Sequence, residues 1–277
     1  MRKLLSANFS RLWRAKELWI SAATMLIISI ISIFNSSRVY QSMLENGYQQ
    51  SLDNYYFQLA PVIAAIMGIF ISLFIGTEHS DGAFRNKLIV GHNRANIFLS
   101  SFFVCFIGCL IITTAWFIGG LPGFCLIDPF EMGLSGFFTY FIIAICMTAA
   151  FTVIFVWVSA MSSNKALTVV FVIILFVIMV LVASGVHDRL SVPEFSGGMA
   201  YIDGEFVLQE ETPNPLYIGG TARTVFEWIR ELMPMGQAIV MATEQIVHPV
   251  REIIASGITT VVMTALGVLT FRKKDLK

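Results

Sequence analysis

The sequence predicts an all-α membrane protein with six transmembrane helices. Of its 277 residues, 56% are hydrophobic, 13% are charged and 24 are Phe, which is too apolar for a soluble domain of this length. Apolar stretches of about 20 residues, the length that crosses a bilayer as a helix, recur six times. Lys and Arg gather in alternate connecting segments, as in proteins that cross the membrane repeatedly.

The six candidate spans predict one transmembrane domain over residues 1–277. They lie at residues 18–35, 58–76, 96–120, 135–160, 166–186 and 252–271. Because six is an even number, both termini are expected on the same side of the membrane, and every second loop should lie with them.

The distribution of basic residues predicts that this side is the cytoplasm. With both termini inside, the cytoplasmic segments hold 13 of the 18 Lys and Arg residues, and positively charged loops stay inside during insertion. The acidic residues divide the other way, with 14 of 18 outside, which agrees with this orientation. We therefore predict a multi-pass protein with a cytoplasmic N terminus and a cytoplasmic C terminus.

The first 17 residues predict an amphipathic helix that lies on the membrane surface. Leu5, Phe9, Leu12 and Trp13 fall on one helical face, and charged residues fall on the others. A signal peptide is the alternative, because basic residues precede an apolar run. No cleavage site with small residues stands out before Asn35, which favours an uncleaved first span.

The segment 77–95 is a polar, basic passage between two strongly apolar spans. Asp81 is expected to cap a short helix over residues 82–90, and Gly91 suits the position just past its end. Asn93 is expected to cap the following span. The sequence therefore predicts a short helix that lies along the inner membrane surface.

The segment 187–250 predicts a large extracellular loop, because some sixty residues are too many for a simple connection. Thr224 and Glu227 have the spacing of a capping box, which predicts a short helix that begins there. After the segment PMGQ at 234–237, a second apolar helical stretch is expected to run to about residue 247. Both helices are expected to lie at the surface and to dip partly into the outer leaflet.

Several classes of function are disfavoured by what the sequence lacks. The cores of the six spans hold no ionisable residue, which argues against a proton-driven or sodium-driven carrier. No phosphate-binding loop is present, so the chain is not expected to hydrolyse ATP. The four His residues are expected to be solvated in loops, and the Cys residues are expected to be free and to pack rather than bind metal. We predict that the chain is not an enzyme by itself and holds no metal or cofactor.

Three passages resemble a known family. The passage GTEHSDGAFRNKLIVGHNR at 76–94 resembles the inner loop between spans two and three of ABC export permeases of type two. The closest likeness is to the bacterial branch linked to peptide-antibiotic immunity and multidrug export. Further matches are NPLYIGGTAR at 214–223 with PMGQ at 234–237, and the ending FRKKD at 271–275.

The resemblance implies a permease that works with a separate ATPase. Two permease copies would pair as a homodimer in the bacterial plasma membrane, and each would engage a cytoplasmic ABC ATPase subunit that binds ATP and Mg²⁺. The implied ATPase-coupling residues are Glu78, Asp81, Gly82, Phe84, Arg85, Asn86, Lys87 and Arg94. The implied structural motif of the outer loop comprises Asn214, Pro215, Gly219, Gly220, Arg223, Pro234, Gly236 and Gln237.

The predicted function is therefore outward transport of a substrate such as an antimicrobial peptide, a drug or a lipid. The alternatives are an autonomous channel or secondary carrier, and a membrane scaffold or sensor subunit. For the 77–95 loop, the alternative is that its residues only shape a turn and anchor it to anionic membrane lipid. No nucleic-acid partner is predicted.

Overall fold

The computed structural model describes residues 2–196, 199–202, 205–208, 212–243 and 246–274. Twelve helices and four short strands lie in these ranges. The helices are α1 (Arg2–Arg14), α2 (Lys16–Glu45), α3 (Asp53–Tyr56), α4 (Ala60–Ser80), α5 (Ala83–Ile89), α6 (Arg94–Gly120), α7 (Gly123–Leu126), α8 (Gly133–Met161), α9 (Lys165–Ser191), α10 (Gly220–Leu232), α11 (Pro234–Thr243) and α12 (Pro249–Lys273). The strands are β1 (Phe195–Ser196), β2 (Met199–Ile202), β3 (Glu205–Leu208) and β4 (Thr212–Pro213).

Six helices of the described part are long and apolar enough to cross a membrane, namely α2, α4, α6, α8, α9 and α12. The predicted all-α architecture with six spans is confirmed. The first span is longer than predicted, because α2 continues for ten residues past the predicted end at residue 35. Ser36, Ser37 and Tyr40 in that extension face the protein interior, which explains why this polar stretch remains helical.

The bundle has a buried centre and a more exposed periphery. More than half of the apolar window is buried in α4, α6 and α8, whereas about a quarter or less is buried in α2, α9 and α12. Where α2 crosses α6, a Cβ atom added to Gly119 would lie 2.6 Å from the Cβ of Ser29, so glycine permits this close approach. The Ser29 hydroxyl also donates to the Trp116 carbonyl at 2.8 Å, which locks the crossing.

One end of the bundle, here the terminal end, gathers α1, the α4–α6 loop, the α8–α9 turn and the last described residue. Arg11 of α1 pairs with Glu78, and Arg94 donates to the carbonyl of Lys274. The Lys274 ammonium in turn donates to the carbonyl of Ala160 at the end of α8. These contacts agree with the predicted even number of spans, while the cytoplasmic location of this end stays a prediction.

The opposite end, here the outer-loop end, differs from its prediction in three respects. α10 begins at Gly220, so Thr224 lies inside the helix and the predicted capping box is wrong. α11 is buried among α4, α8 and α9 instead of lying at the surface. Two small antiparallel pairs, β1 with β4 and β2 with β3, were not predicted.

The N-terminal helix α1 forms as predicted, and its predicted apolar residues Leu5, Phe9 and Leu12 pack against the core. Leu4, Asn8 and Leu12 are buried, and α1 contacts α6, whereas the side of Trp13 is half-exposed. The Asn8 amide donates to the Ser100 hydroxyl at 3.1 Å, and this bond to α6 explains why a polar residue belongs to the buried stripe. α1 is therefore part of the bundle as well as an amphipathic helix.

Candidate functional site

The short helix α5 begins with a sharp reversal of the chain. Gly82 has φ +65°, in the left-handed region that favours glycine, and no side chain caps the first turn of α5. Asp81 instead ends α4, so its predicted role as the cap of α5 is wrong. Gly82 itself occupies the N-cap position of α5, so Asp81 lies one residue too early to cap the helix.

The other end of α5 is closed as the sequence predicts. Gly91 has φ +87°, its N–H donates to the Leu88 carbonyl at 2.8 Å, and the N–H of His92 donates to the Lys87 carbonyl at 3.1 Å. These two bonds form a Schellman motif. The Asn93 side chain then accepts from the Ala95 N–H at 3.0 Å, which confirms the predicted cap of the next span. α5 is thus a closed unit with defined ends.

A single buried carboxylate anchors this unit to the bundle. Glu78, in the last turn of α4, is only 2% exposed and accepts hydrogen bonds from Arg11 of α1 and, at 2.8 Å, from Lys87 of α5. Arg11 also donates to the Phe74 carbonyl and lies 4.1 Å from the centre of the Phe74 ring. Glu78 therefore joins α1, α4 and α5, and its carboxylate is not accessible to a partner.

An aromatic contact fixes the inner side of α5. Phe84 is buried, with its ring centre 4.7 Å from that of His79 and 5.7 Å from that of Phe271 in α12. His79 lies within α4 and its Nε2 is 2.9 Å from the Ser159 carbonyl oxygen, so the expectation of a solvated loop histidine is wrong here. α5 is in this way attached directly to α12, and to α8 through His79 of α4.

The C-terminal residues complete the anchorage. Arg94, at the start of α6, donates to the carbonyl of Lys274, whose ammonium donates to the carbonyls of Ala160 and Ser162. Burial lowers the pKa of Lys274 to about 8. Asp275, which closes the third passage of the resemblance, lies outside the described residues.

The outward side of the loop is exposed and chemically mixed. Ile89 and Val90 are each 75% exposed, and they follow exposed Arg85 and Asn86 on the same short helix. Asp81 is exposed at the opposite end of α5. We call Asp81, Arg85, Asn86, Ile89 and Val90 the α5 tip, which combines aliphatic side chains with charged and polar ones. The less exposed residues Glu78, Phe84, Lys87 and Arg94 attach α5 to the rest of the protein.

The first part of the outer-loop motif forms a turn that leads into α10. The Asn214 carboxamide oxygen accepts from the Leu216 N–H at 3.0 Å, with Pro215 exposed between them. Gly219 precedes the first turn of α10, which opens with Gly220 at φ +58°. Arg223, one turn later, donates to the Leu190 carbonyl at 3.1 Å and so ties α10 to the end of α9.

The second part of the motif is a buried hydrogen-bond junction. Gln237 of α11 is 1% exposed, and its amide donates to the carbonyls of Glu231 at 2.6 Å and Glu252 at 3.1 Å. Its oxygen accepts from the Ser256 hydroxyl at 2.7 Å. A Cβ on Gly236 would lie 2.2 Å from the Arg230 carbonyl oxygen, so only glycine fits there. Together with buried Pro234, these residues join α10, α11 and α12.

An ion pair that sequence reasoning missed lies beside this junction. Glu231 of α10 and Arg251 of α12 form two contacts at 3.0 Å, and the Arg251 guanidinium lies 4.7 Å from the centre of the Trp228 ring. Burial raises the pKa of the Glu231 carboxyl, and the Arg251 charge opposes that shift. Glu252 is also buried, although it was placed at the edge of span six. The sequence signal that could have indicated this ion pair is the presence of acidic residues such as Glu231 in an amphipathic helix of the outer loop.

Sequence comparison identifies the family. Residues 4–180 match the family described as ABC-2 family transporter protein. The chain belongs to this family. The matched residues include the whole α5 region and end within α9, before the outer-loop motif. No curated protein matches the sequence.

Family membership fixes the general role of the chain. It is a multi-pass membrane protein and the permease subunit of an ABC transporter, a family whose permeases work with ABC ATPase subunits. Within the described ranges, no group of His, Cys, Asp and Glu side chains could hold a metal ion. Cys105 and Cys109 are buried in α6 and free.

Proposed function

We propose that the α5 tip is the surface on which a separate ABC ATPase subunit docks and moves this permease. The observation that carries the proposal is the contrast between its two sides. The inner side is attached to α1, α4, α8 and α12 through Glu78, Phe84 and His79. The outer side leaves Ile89 and Val90 three-quarters exposed. A displacement applied to the tip would therefore reach the spans.

The predicted coupling residues divide into two roles in this proposal. Arg85, Asn86 and Asp81 are exposed and would contact the partner together with the two aliphatic residues. Such a mixture of apolar anchors and charges is typical of protein interfaces. The buried or half-buried members Glu78, Phe84, Lys87 and Arg94 would transmit the movement instead of contacting the partner, and Gly82 would set the angle of α5.

The family and the resemblance support a proposal for the transport reaction. ATP and Mg²⁺ would be held by the partner subunit, two permease copies would pair in a bacterial plasma membrane, and the substrate would move outward. An antimicrobial peptide, a drug or a lipid fits the resemblance. The exposed apolar faces of α2, α9 and α12 leave room for both lipid and a second permease.

Two matched substitutions test the docking surface. Val90→Lys places a charge on the α5 tip, whereas Val247→Lys places one on a valine that is 78% exposed at the outer-loop end. In complexes purified from the native membrane, Val90→Lys should lose the nucleotide-binding subunit and its Mg-ATPase activity, and Val247→Lys should retain both. Phe84→Pro should also lose the partner, because it removes the buried ring that packs on His79 and Phe271, although proline itself is tolerated in the first turn of a helix.

Two results would contradict the proposal. One is equal recovery of the ATPase subunit with both lysine variants. The other is transport by the purified chain alone in liposomes without ATP, which would establish an autonomous channel or carrier.

A further inference from the structure

A groove opens on the membrane side of the bundle where α2 and α6 separate. The two helices are tightly packed at Ser29 and Gly119, and the residues that line the groove precede this contact along both helices. The space between them is about 410 Å³. Its lining includes Trp19, Ala23, Leu26, Ile111, Ala115 and Ile118.

The chemistry of the groove fits an unbranched apolar chain. Thr114 is the one hydroxyl-bearing residue of the lining, and its hydroxyl already donates to the Leu110 carbonyl of its own helix at 2.8 Å. Both walls belong to candidate membrane spans, so the groove faces lipid tails. An occupant would have to be apolar along its length, because the walls leave no polar partner at this depth.

The open end of the groove carries aromatic and cationic groups. Trp19 donates through Nε1 to the Trp13 carbonyl at 3.1 Å, and the two ring centres lie 6.0 Å apart. Lys16, one turn before Trp19, is exposed and pairs with no acidic residue that the structure describes. Arg14 and Glu17 line a separate cavity with Phe74, on the α4 side. Tryptophans beside cations mark the level of lipid head groups.

We propose that this groove binds a phospholipid with an anionic head group. One acyl chain would lie between α2 and α6, and the phosphate would lie near Lys16. The tryptophan pair would lie at the level of the glycerol, where amphipathic rings are favoured. Basic residues near the membrane surface attract anionic lipids, so an anionic head group would supply the negative partner that Lys16 lacks within the described structure.

A second copy of the chain is a less suitable occupant. In a twofold symmetric dimer the same patch meets itself, so Lys16 of one copy would approach Lys16 of the other. Like charges brought together at such an interface disfavour association. A single acyl chain enters the groove without that repulsion.

Quenching of Trp19 fluorescence by brominated lipid tests the proposal. The full chain is reconstituted in phosphatidylcholine vesicles that contain a small fraction of phosphatidylglycerol or phosphatidylcholine brominated in its acyl chains. The Trp19 signal is the difference between the native chain and Trp19→Phe. Brominated phosphatidylglycerol should quench it at a lower mole fraction than brominated phosphatidylcholine. Lys16→Gln should weaken that preference by about fivefold, from about 1 kcal/mol for each basic residue at an anionic surface.

Matched variants separate the groove from the surrounding lipid. Ala23→Phe fills the groove and should remove the selective quenching, whereas Ala265→Phe, at an exposed alanine of α12, should leave it unchanged. Lys273→Gln removes a charge from the terminal end far from the groove and should also have no effect.

Three results would overturn the proposal. The first is equal quenching of the native chain by the two lipids. The second is an identical response of Ala23→Phe and Ala265→Phe. The third is efficient disulfide crosslinking between two copies that carry Cys at position 23, which would place a second chain in the groove.

Discussion

The two short helices α5 and α11 lie at opposite ends of the bundle and are held by different chemistry. α5 is attached through an ionised carboxylate, because Glu78 accepts from Arg11 and Lys87. α11 is attached through a neutral amide, because Gln237 donates to two carbonyls and accepts from one hydroxyl. The outer side of α5 is exposed, whereas seven of the ten residues of α11 are buried.

This difference agrees with the roles proposed for the two ends. In that proposal the ATPase subunit contacts the exposed α5 tip, and the anchored base of α5 carries the displacement into the bundle. α11 presents little surface to a partner and packs on α4, α8 and α9, so it moves only when those spans move. The terminal end is suited to receive a displacement, and the outer-loop end is suited to respond to one.

The largest expected effect comes from removal of the carboxylate under α5. Glu78→Ala should lower the free energy of unfolding by about 3 kcal/mol, because two cations lose their partner in a largely buried site. The Arg11 side chain is 31% exposed, which keeps the loss at the low end of the range for buried pairs. Thermal unfolding in detergent measures it. Glu17→Ala is the control, and an equal loss there would contradict the anchoring role.

The next effect is steric and concerns α11. Gly236→Ala should destabilise the chain by about 2 kcal/mol, because its Cβ would clash with the Arg230 carbonyl oxygen and the junction must shift. Gly257→Ala in α12 meets no atom within 4 Å and should be neutral or slightly stabilising. Similar melting temperatures for the two variants would show that the junction is looser than described.

A smaller effect tests the amide junction itself. Ser256→Ala should lower the free energy of unfolding by about 1 kcal/mol, because the buried Gln237 oxygen loses its donor. Ser72→Ala serves as the comparison: this serine is equally buried, but its hydroxyl donates only to the Ile69 carbonyl of its own helix. The two losses are compared by thermal unfolding, and the prediction fails if Ser72→Ala is the more destabilising.

The smallest effect is a pH dependence at the terminal end. Burial lowers the pKa of Lys274 to about 8 in the folded chain, whereas an unfolded lysine keeps its proton to about pH 10. Between these values the unfolded chain binds the extra proton, so the contribution of Lys274 to stability rises with pH. The difference between the melting temperature of the native chain and that of Lys274→Met should therefore increase, in favour of the native chain, between pH 8 and pH 10.

The exposed neighbour provides the control for this pH dependence. Lys273→Met should follow the native chain across the same pH range, because Lys273 is exposed at the end of α12. The melting temperature of the native chain could instead rise relative to Lys273→Met as much as relative to Lys274→Met. That result would show that the burial of Lys274 does not cause the pH dependence.

The spans were predictable because membrane crossing imposes a length and an apolar composition that each segment carries by itself. The closure of α5 at Gly91 and the cap at Asn93 were predictable for the same reason, since both are local. Burial of Glu78 was not, because its partner Arg11 lies 67 residues away in sequence. Burial of α11 was also hidden, because the bonds of Gln237 to α10 and α12 depend on the tertiary arrangement.

The shared carboxylate of Glu78 also has a genetic consequence. Arg11, Glu78 and Lys87 come from three separate segments, and both cations depend on the same acceptor oxygen. Substitutions at positions 11 and 87 should therefore not act independently, because loss of one cation changes how much the other contributes to the free energy of unfolding. Variation at these three positions is expected to be epistatic: a change at one alters which changes are tolerated at the other two.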